Sequence, residues 1–235
     1  MPSDSHIVKA YTEEIAQLTG LVSEMGGYAQ AAVADSIEAL RRRDGDLAAA
    51  VVERDKRLDA MEAQVSALVI RLLALRQPMA VDLRTVIASL KIASDLERVG
   101  DYAKNIAKRS LVLNEFPPTG PISSIQNLSR MVQVMLNEVL DAYAAGDAQV
   151  AEQLREEDEA VDAAHTGIFR ELVTYMMEDP RTITASTHLV FIAKNLERIG
   201  DHSTNIAESV VSQVSGERPV ERHLVDDAAE EEPEA

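Results

Sequence analysis

Cysteine and tryptophan are absent from the chain, and aromatic residues make up only 3% of it. Without cysteine there can be no disulfide, thiolate metal site or cysteine nucleophile, and the chain suits a reducing cytosol. A core without large rings must be built from Ala, Leu, Val, Ile and Met, which favours helix packed on helix. No basic and apolar leader pattern opens the sequence, and no apolar run nears the ~20 residues that span a bilayer. Positive charge is scarce as well: 23 Lys and Arg stand against 40 Asp and Glu, a net charge of −17. That balance argues against direct binding to nucleic acid or anionic lipid and leaves cations and basic protein surfaces as partners.

What is present occurs twice. Residues 92–107 and 192–207 share Ile92/Ile192, Ala93/Ala193, Leu96/Leu196, Glu97/Glu197, Arg98/Arg198, Gly100/Gly200, Asp101/Asp201, Asn105/Asn205, Ile106/Ile206 and Ala107/Ala207. Unrelated segments of this length would share about one residue, so the pair marks an internal duplication. In each copy an apolar stripe steps by four and three: Ile92, Leu96, Val99, Ala103, Ile106, and Ile192, Leu196, Ile199, Ser203, Ile206. Glu97, Asp101 and Asn105 form a second row about 180° away, which predicts carboxylates pointing away from the core. Gly100 and Gly200 lie between the rows, where a neighbouring backbone can come close.

Around these signatures the chain reads as six helices. Ser3 or Ser5 caps a first helix over about 6–43, interrupted in pattern by Gly26-Gly27, and Asp44-Gly45-Asp46 turns into a second over about 47–76. That helix faces Leu47, Val51, Leu58, Met61, Val65, Leu68, Leu72 and Leu75 inward, and Gln77-Pro78 ends it. A third helix, about 80–111, carries the first signature. Phe116-Pro117-Pro118-Thr119-Gly120-Pro121 is the linker to a fourth helix, about 123–145. After Gly146-Asp147 a fifth helix, 148–178, presents Val150, Leu154, Val161, Ile168, Leu172 and Tyr175. Asp179-Pro180 breaks it, and a sixth helix bears the second signature to about 214. The fold expected is all-α: a first three-helix repeat over 1–114, a linker over 115–122, a second repeat over 123–214, and a disordered acidic tail over 215–235.

The second and fifth helices add acidic pairs at i, i+4, Asp55 with Asp59 and Asp158 with Asp162, on flanks that can face the neighbouring signature helix. Each repeat then offers four carboxylates. Like charges so spaced cost about 0.2–0.5 kcal/mol per pair, and a hard cation such as Mg²⁺, Mn²⁺, Ca²⁺ or iron would turn the repulsion into attraction. The plainer alternative is a solvated face, eased by Arg98 beside Asp101 and Arg198 beside Asp201. A ferritin-like di-iron centre needs Glu-x-x-His on two helices, and only Asp162-Ala-Ala-His165 comes near it. No phosphate-binding loop, dinucleotide turn or nucleophile elbow is present, so the sequence points away from catalysis.

Over about 25–208 the chain resembles the PhoU family of phosphate-specific transport system accessory proteins. The resemblance is carried by Met25-Gly26-Gly27, the segment from Arg76-Gln77-Pro78 to Asp82-Leu83-Arg84, both Glu-Arg-(Val/Ile)-Gly-Asp signatures, and Tyr175-Met176-Met177-Glu178-Asp179. It implies two three-helix bundles side by side with multinuclear metal clusters on their surface. The ligands implied are Asp55, Asp59, Glu97, Asp101, Asp158, Asp162, Glu197 and Asp201, all still acidic here, and the metal (Fe, Mn, Mg or Zn) stays open. It also implies a cytoplasmic regulator that represses the phosphate-starvation response. Such a regulator connects the ATPase of the phosphate ABC transporter with a phosphate-sensing histidine kinase, reaches the membrane through those partners, and is often a homodimer. Two other classes use the same residues: a metal-storage bundle, expected to take up metal without a regulatory phenotype, and a bare helical scaffold, indifferent to alanine at Glu97 and Asp101.

Overall fold

The structure, a computed structural model, describes residues 3–216; the acidic stretch beyond lies outside the described residues. Six long helices follow one another: α1 (Ser3–Arg42), α2 (Gly45–Arg76), α3 (Val81–Leu113), α4 (Ile122–Ala145), α5 (Ala148–Glu178) and α6 (Ile183–Ser215). A one-turn 3₁₀ helix at Pro180–Thr182, which the sequence pattern did not separate, leads into α6. Among the described residues there is no strand. The architecture is two tandem three-helix bundles, α1–α3 and α4–α6, as the duplication predicts.

The turns follow from local chemistry. Asp44 accepts a hydrogen bond from the Leu47 backbone N–H at 2.9 Å and caps α2, a contact worth about 1 kcal/mol. Gln77, left-handed at φ 47°, closes α2 immediately before Pro78, and Gly146, φ 65°, closes α4. The α1–α2 turn is tied to the inter-repeat linker through Arg43. Its Nη2 donates to the carbonyls of Leu113, Asn114 and Phe116 at 3.1, 2.9 and 2.7 Å. Those bonds hold Arg43 at φ 57°, a conformation that costs a non-glycine residue about 1–2 kcal/mol.

The signature helices are the inner pair. α3 packs against α1 and α2 of its own repeat and along α6 of the other, while α6 packs against α4, α5 and α3; α1 and α4 complete the seam between repeats. Both predicted stripes are fully buried, and Ala93, Ala107, Ala193 and Ala207 are buried beside them. Gly26 lies within the continuous helix α1. It lies against Leu140 of α4, whose methyl carbons would stand 2.8 and 2.9 Å from an added Cβ. Across the seam His202 Nδ1 lies 2.8 Å from Asp95 Oδ1, and the Tyr102 and His202 rings stand 5.6 Å apart. No helix among the described residues is long and apolar enough to cross a membrane.

Among the described side chains, which do not include that of Val150, two inward assignments fail. Leu75 is 71% exposed and Tyr175 is 37% exposed. Each falls in the last turn of its helix, where the apolar spacing runs on past the neighbours that would cover it.

The two signature glycines are filled by side chains of the preceding helix rather than by backbone. A Cβ on Gly100 would overlap a methyl of buried Leu58 and come within 3.5 Å of Asp55 Oδ1; on Gly200 it would meet Val161 Cγ1 at 3.3 Å. Overpacking costs about 1–3 kcal/mol, and alanine's helix preference returns about 1 kcal/mol. Gly100→Ala is therefore expected to destabilise by about 1 kcal/mol, and Gly200→Ala to be near neutral. Denaturant unfolding of both variants checks the order, and a larger loss for Gly200→Ala would break the argument.

Candidate cation sites

The acidic rows meet in the groove between each signature helix and the helix before it. Because Gly100 and Gly200 admit Leu58 and Val161, α2 and α5 approach closely and bring Asp55 and Asp158 alongside. The carboxylates of α3 and α6 consequently do not stand out in solvent as the helical wheel suggests. Their side chains are 24% exposed at Glu97, 28% at Asp101 and 12% at Glu197, and Asp55 is buried. The reason is that α3 and α6 are covered on more than the apolar stripe.

In the first repeat Lys104, one turn beyond Asp101, reaches into the row. Its Nζ lies 2.5 Å from Asp55 Oδ2 and 2.6 Å from Asp101 Oδ1, linking α2 to α3. Arg98 borders the same group at 3.5 Å from Glu97 Oε2 and 3.5 Å from Asp101 Oδ2. Asp59 is exposed and acts on Glu97 through its charge. Burial pushes the Glu97 carboxyl above the usual range, with Asp101, Asp59 and Asp55 adding to the rise and Arg98 opposing it. Burial lowers the Lys104 ammonium, but its bonds to Asp101 and Asp55 outweigh that and raise it above an ordinary lysine. This lysine, unremarked in the acidic motif, was detectable in the sequence as a mismatch: Lys104 aligns with Thr204.

In the second repeat Asp162, Glu197 and Asp201 each place one carboxylate oxygen within 4.8 Å of the others. Among the described residues no second group of this kind occurs, so the first repeat's carboxylates do not form one. Asp158 lies close enough to act on Asp201 electrostatically but is outside that trio. Lys194 donates to Glu197 Oε1 at 2.5 Å, from a side chain 43% exposed. Glu197 Oε2 is buried with no hydrogen-bond partner, which is costly unless something positive meets it. Arg198 does not ease this cluster as supposed; its guanidinium stands 5.8 Å from the Tyr102 ring, across the seam. Burial pushes Asp201 up to about 6, with Glu197, Asp158 and Asp162 reinforcing the shift and Lys194 opposing it. Three oxygens converging beside an orphaned buried carboxylate oxygen suit a hard cation. The first repeat, already holding an ammonium, does not fit one in this arrangement.

Comparison with known proteins gives the same partition of the chain. The PhoU domain profile matches twice, over residues 22–110 and 125–210. A phosphate-specific transport system accessory protein PhoU homolog of Caulobacter vibrioides is 55% identical over 213 residues, covering 90% of this chain and 93% of that one. The crystal structure of PhoU from Pseudomonas aeruginosa superposes with a TM-score of 0.85 at 39% identity, covering 88% of this chain and all of the other. The phosphate transport system regulatory protein PhoU from Streptococcus pneumoniae superposes with a TM-score of 0.83 at 27% identity, over 90% of this chain.

Asp201 supplies a pH test. Its folded value of about 6 exceeds its ordinary 3.8, so the folded state binds the extra proton. The stability this contributes is present in full below about pH 4 and is lost as pH rises through about 6. In chelator, Asp201→Asn should be more stable than the parent at pH 7, by on the order of 1 kcal/mol after solvent screening. The difference should shrink toward zero near pH 4. Urea unfolding across that range reads it, and a gap that does not change with pH counts against a strained carboxylate.

Proposed function

This chain belongs to the PhoU family, and on that premise we propose that it is a cytoplasmic regulator of phosphate transport that represses the phosphate-starvation response while phosphate is plentiful. In this reading it connects the ATPase of a phosphate ABC transporter with a phosphate-sensing histidine kinase, and a cation held by its second acidic cluster sets its shape. The observation that carries the reading is the match of both repeats to the family profile, with both Glu-Arg-(Val/Ile)-Gly-Asp signatures intact.

The surface supports an adaptor. Near the α2–α3 turn Leu75, Met79 and Val81 are 71%, 81% and 59% exposed, and near the α5–α6 turn Met177 and Ile183 are 79% and 47% exposed. Large apolar groups clustered at the exposed ends of hairpins fit protein contacts. A homodimer is part of the same proposal. The strongest support for cation binding is the second-repeat trio, Asp162, Glu197 and Asp201. The remaining acids, Asp55, Asp59, Glu97, Asp101 and Asp158, belong to the same rows.

The test uses cells of the source organism lacking this chain, grown in ample phosphate and carrying an alkaline phosphatase reporter. Deletion should raise reporter activity, and the parent chain should silence it. Asp162→Asn, Glu197→Gln and Asp201→Asn together, which keep the side-chain shapes, should leave it high. Silencing by that variant would separate repression from the acidic cluster. No rise on deletion would remove the repressor role and favour metal storage.

A further inference from the structure

The two copies of the signature agree in their acids but not in the cation beside them. We propose that Lys104 is the resident cation of the first acidic cluster, so that the second repeat takes up metal and the first is held closed by its own ammonium.

This rests on the cation-binding reading above and sharpens it to one repeat. Lys104 bonds one carboxylate from each of two helices, Asp55 Oδ2 on α2 at 2.5 Å and Asp101 Oδ1 on α3 at 2.6 Å. Its side chain is only 22% exposed, and that of Asp55 only 6%. A buried carboxylate needs a positive partner, and here the chain provides one. A metal using Asp55 and Asp101 would have to expel the ammonium or share its oxygens against like-charge repulsion, and Arg98 adds a second positive group at the rim.

At the matching place in the second repeat the residue is Thr204. Its hydroxyl is short, carries no charge, and donates to the Gly200 carbonyl at 3.4 Å within its own helix. Position 204 thus sends nothing positive toward Asp201. The lysine of this repeat, Lys194, approaches from the other end of the row and bonds Glu197 Oε1 alone, leaving Oε2 buried and unbonded. Arg198 is turned to Tyr102 rather than to the acids. Swapping the lysine from 104 to 194 between copies therefore changes a cross-helix plug into a rim contact.

Manganese uptake by the full chain, measured as bound Mn²⁺ per protein after desalting, tests this. Asp162→Asn, Glu197→Gln and Asp201→Asn together should abolish tight uptake, while Glu97→Gln with Asp101→Asn should leave it unchanged. Lys104→Met should raise uptake to about twice the parent value, the first cluster's carboxylates now being free to coordinate. Thr204→Lys should lower it toward the level of the second-repeat variant. If Lys104→Met does not fold, the first two variants and Thr204→Lys still decide. Equal losses from the first- and second-repeat variants would overturn the assignment of Lys104 and leave metal binding standing. No tight uptake by the parent chain would overturn both.

Discussion

Carboxylates forced together in a half-buried groove must be met by positive charge, and much of this molecule follows from that requirement. In bulk water two such groups about 4 Å apart repel by only about 1 kcal/mol, but in a groove of lower effective dielectric the repulsion is several times larger. Packing creates the problem here. Gly100 and Gly200 let α2 and α5 close on the signature helices, and Leu58 and Val161 fill the space a Cβ would take. The same closeness aligns the acids. Glycine, aliphatic filler and carboxylate are one device, which is why the duplication preserves them together.

Duplication then allows divergence. Each cluster is made inside its own repeat, from α2 with α3 or from α5 with α6, so a change in one leaves the other's geometry alone. The seam instead uses another face of the same two helices, where Asp95, Tyr102, Arg198 and His202 meet. The aligned positions differ here: Asp95 aligns with Asn195 but meets His202, and Tyr102 aligns with His202, the ring it stands against. The seam therefore breaks the two-fold likeness of the repeats in a region where strict likeness would place two equal rings face to face.

The helices, their turns and the apolar stripes were legible in the sequence because each rests on a local rule. Four-three spacing, Asp44 as a cap and Pro78 as a stop need no knowledge of partners. Leu75 and Tyr175 are exposed against the pattern for the same reason, since spacing says which side of a helix is apolar and not where the neighbouring helix ends. The acidic rows were found, yet their half-burial was not, because an inner helix is covered on several faces and a single stripe reports one of them. Lys104 is not marked by anything the two copies share. Its role depends on a contact to Asp55, 49 residues away in sequence, and only the mismatch with Thr204 hinted at it.

The placement of the second cluster bears on how a cation bound there could act at a distance. Glu197 is followed by Arg198, and Asp201 by His202, so acids and seam residues alternate along one turn of α6 on different faces. A helix with its side chains is about 10 Å across, comparable to the screening length at physiological salt of about 8 Å, and partly buried charges are screened less than that. A change of charge at Glu197 and Asp201 is thus felt at Arg198 and His202 without any movement of the backbone. In the first repeat, where Lys104 already balances Asp55 and Asp101, the same turn of α3 has a fixed charge. On the proposed reading the asymmetry gives the molecule one constant half and one half whose charge follows its ion, joined along a seam that each half can bias.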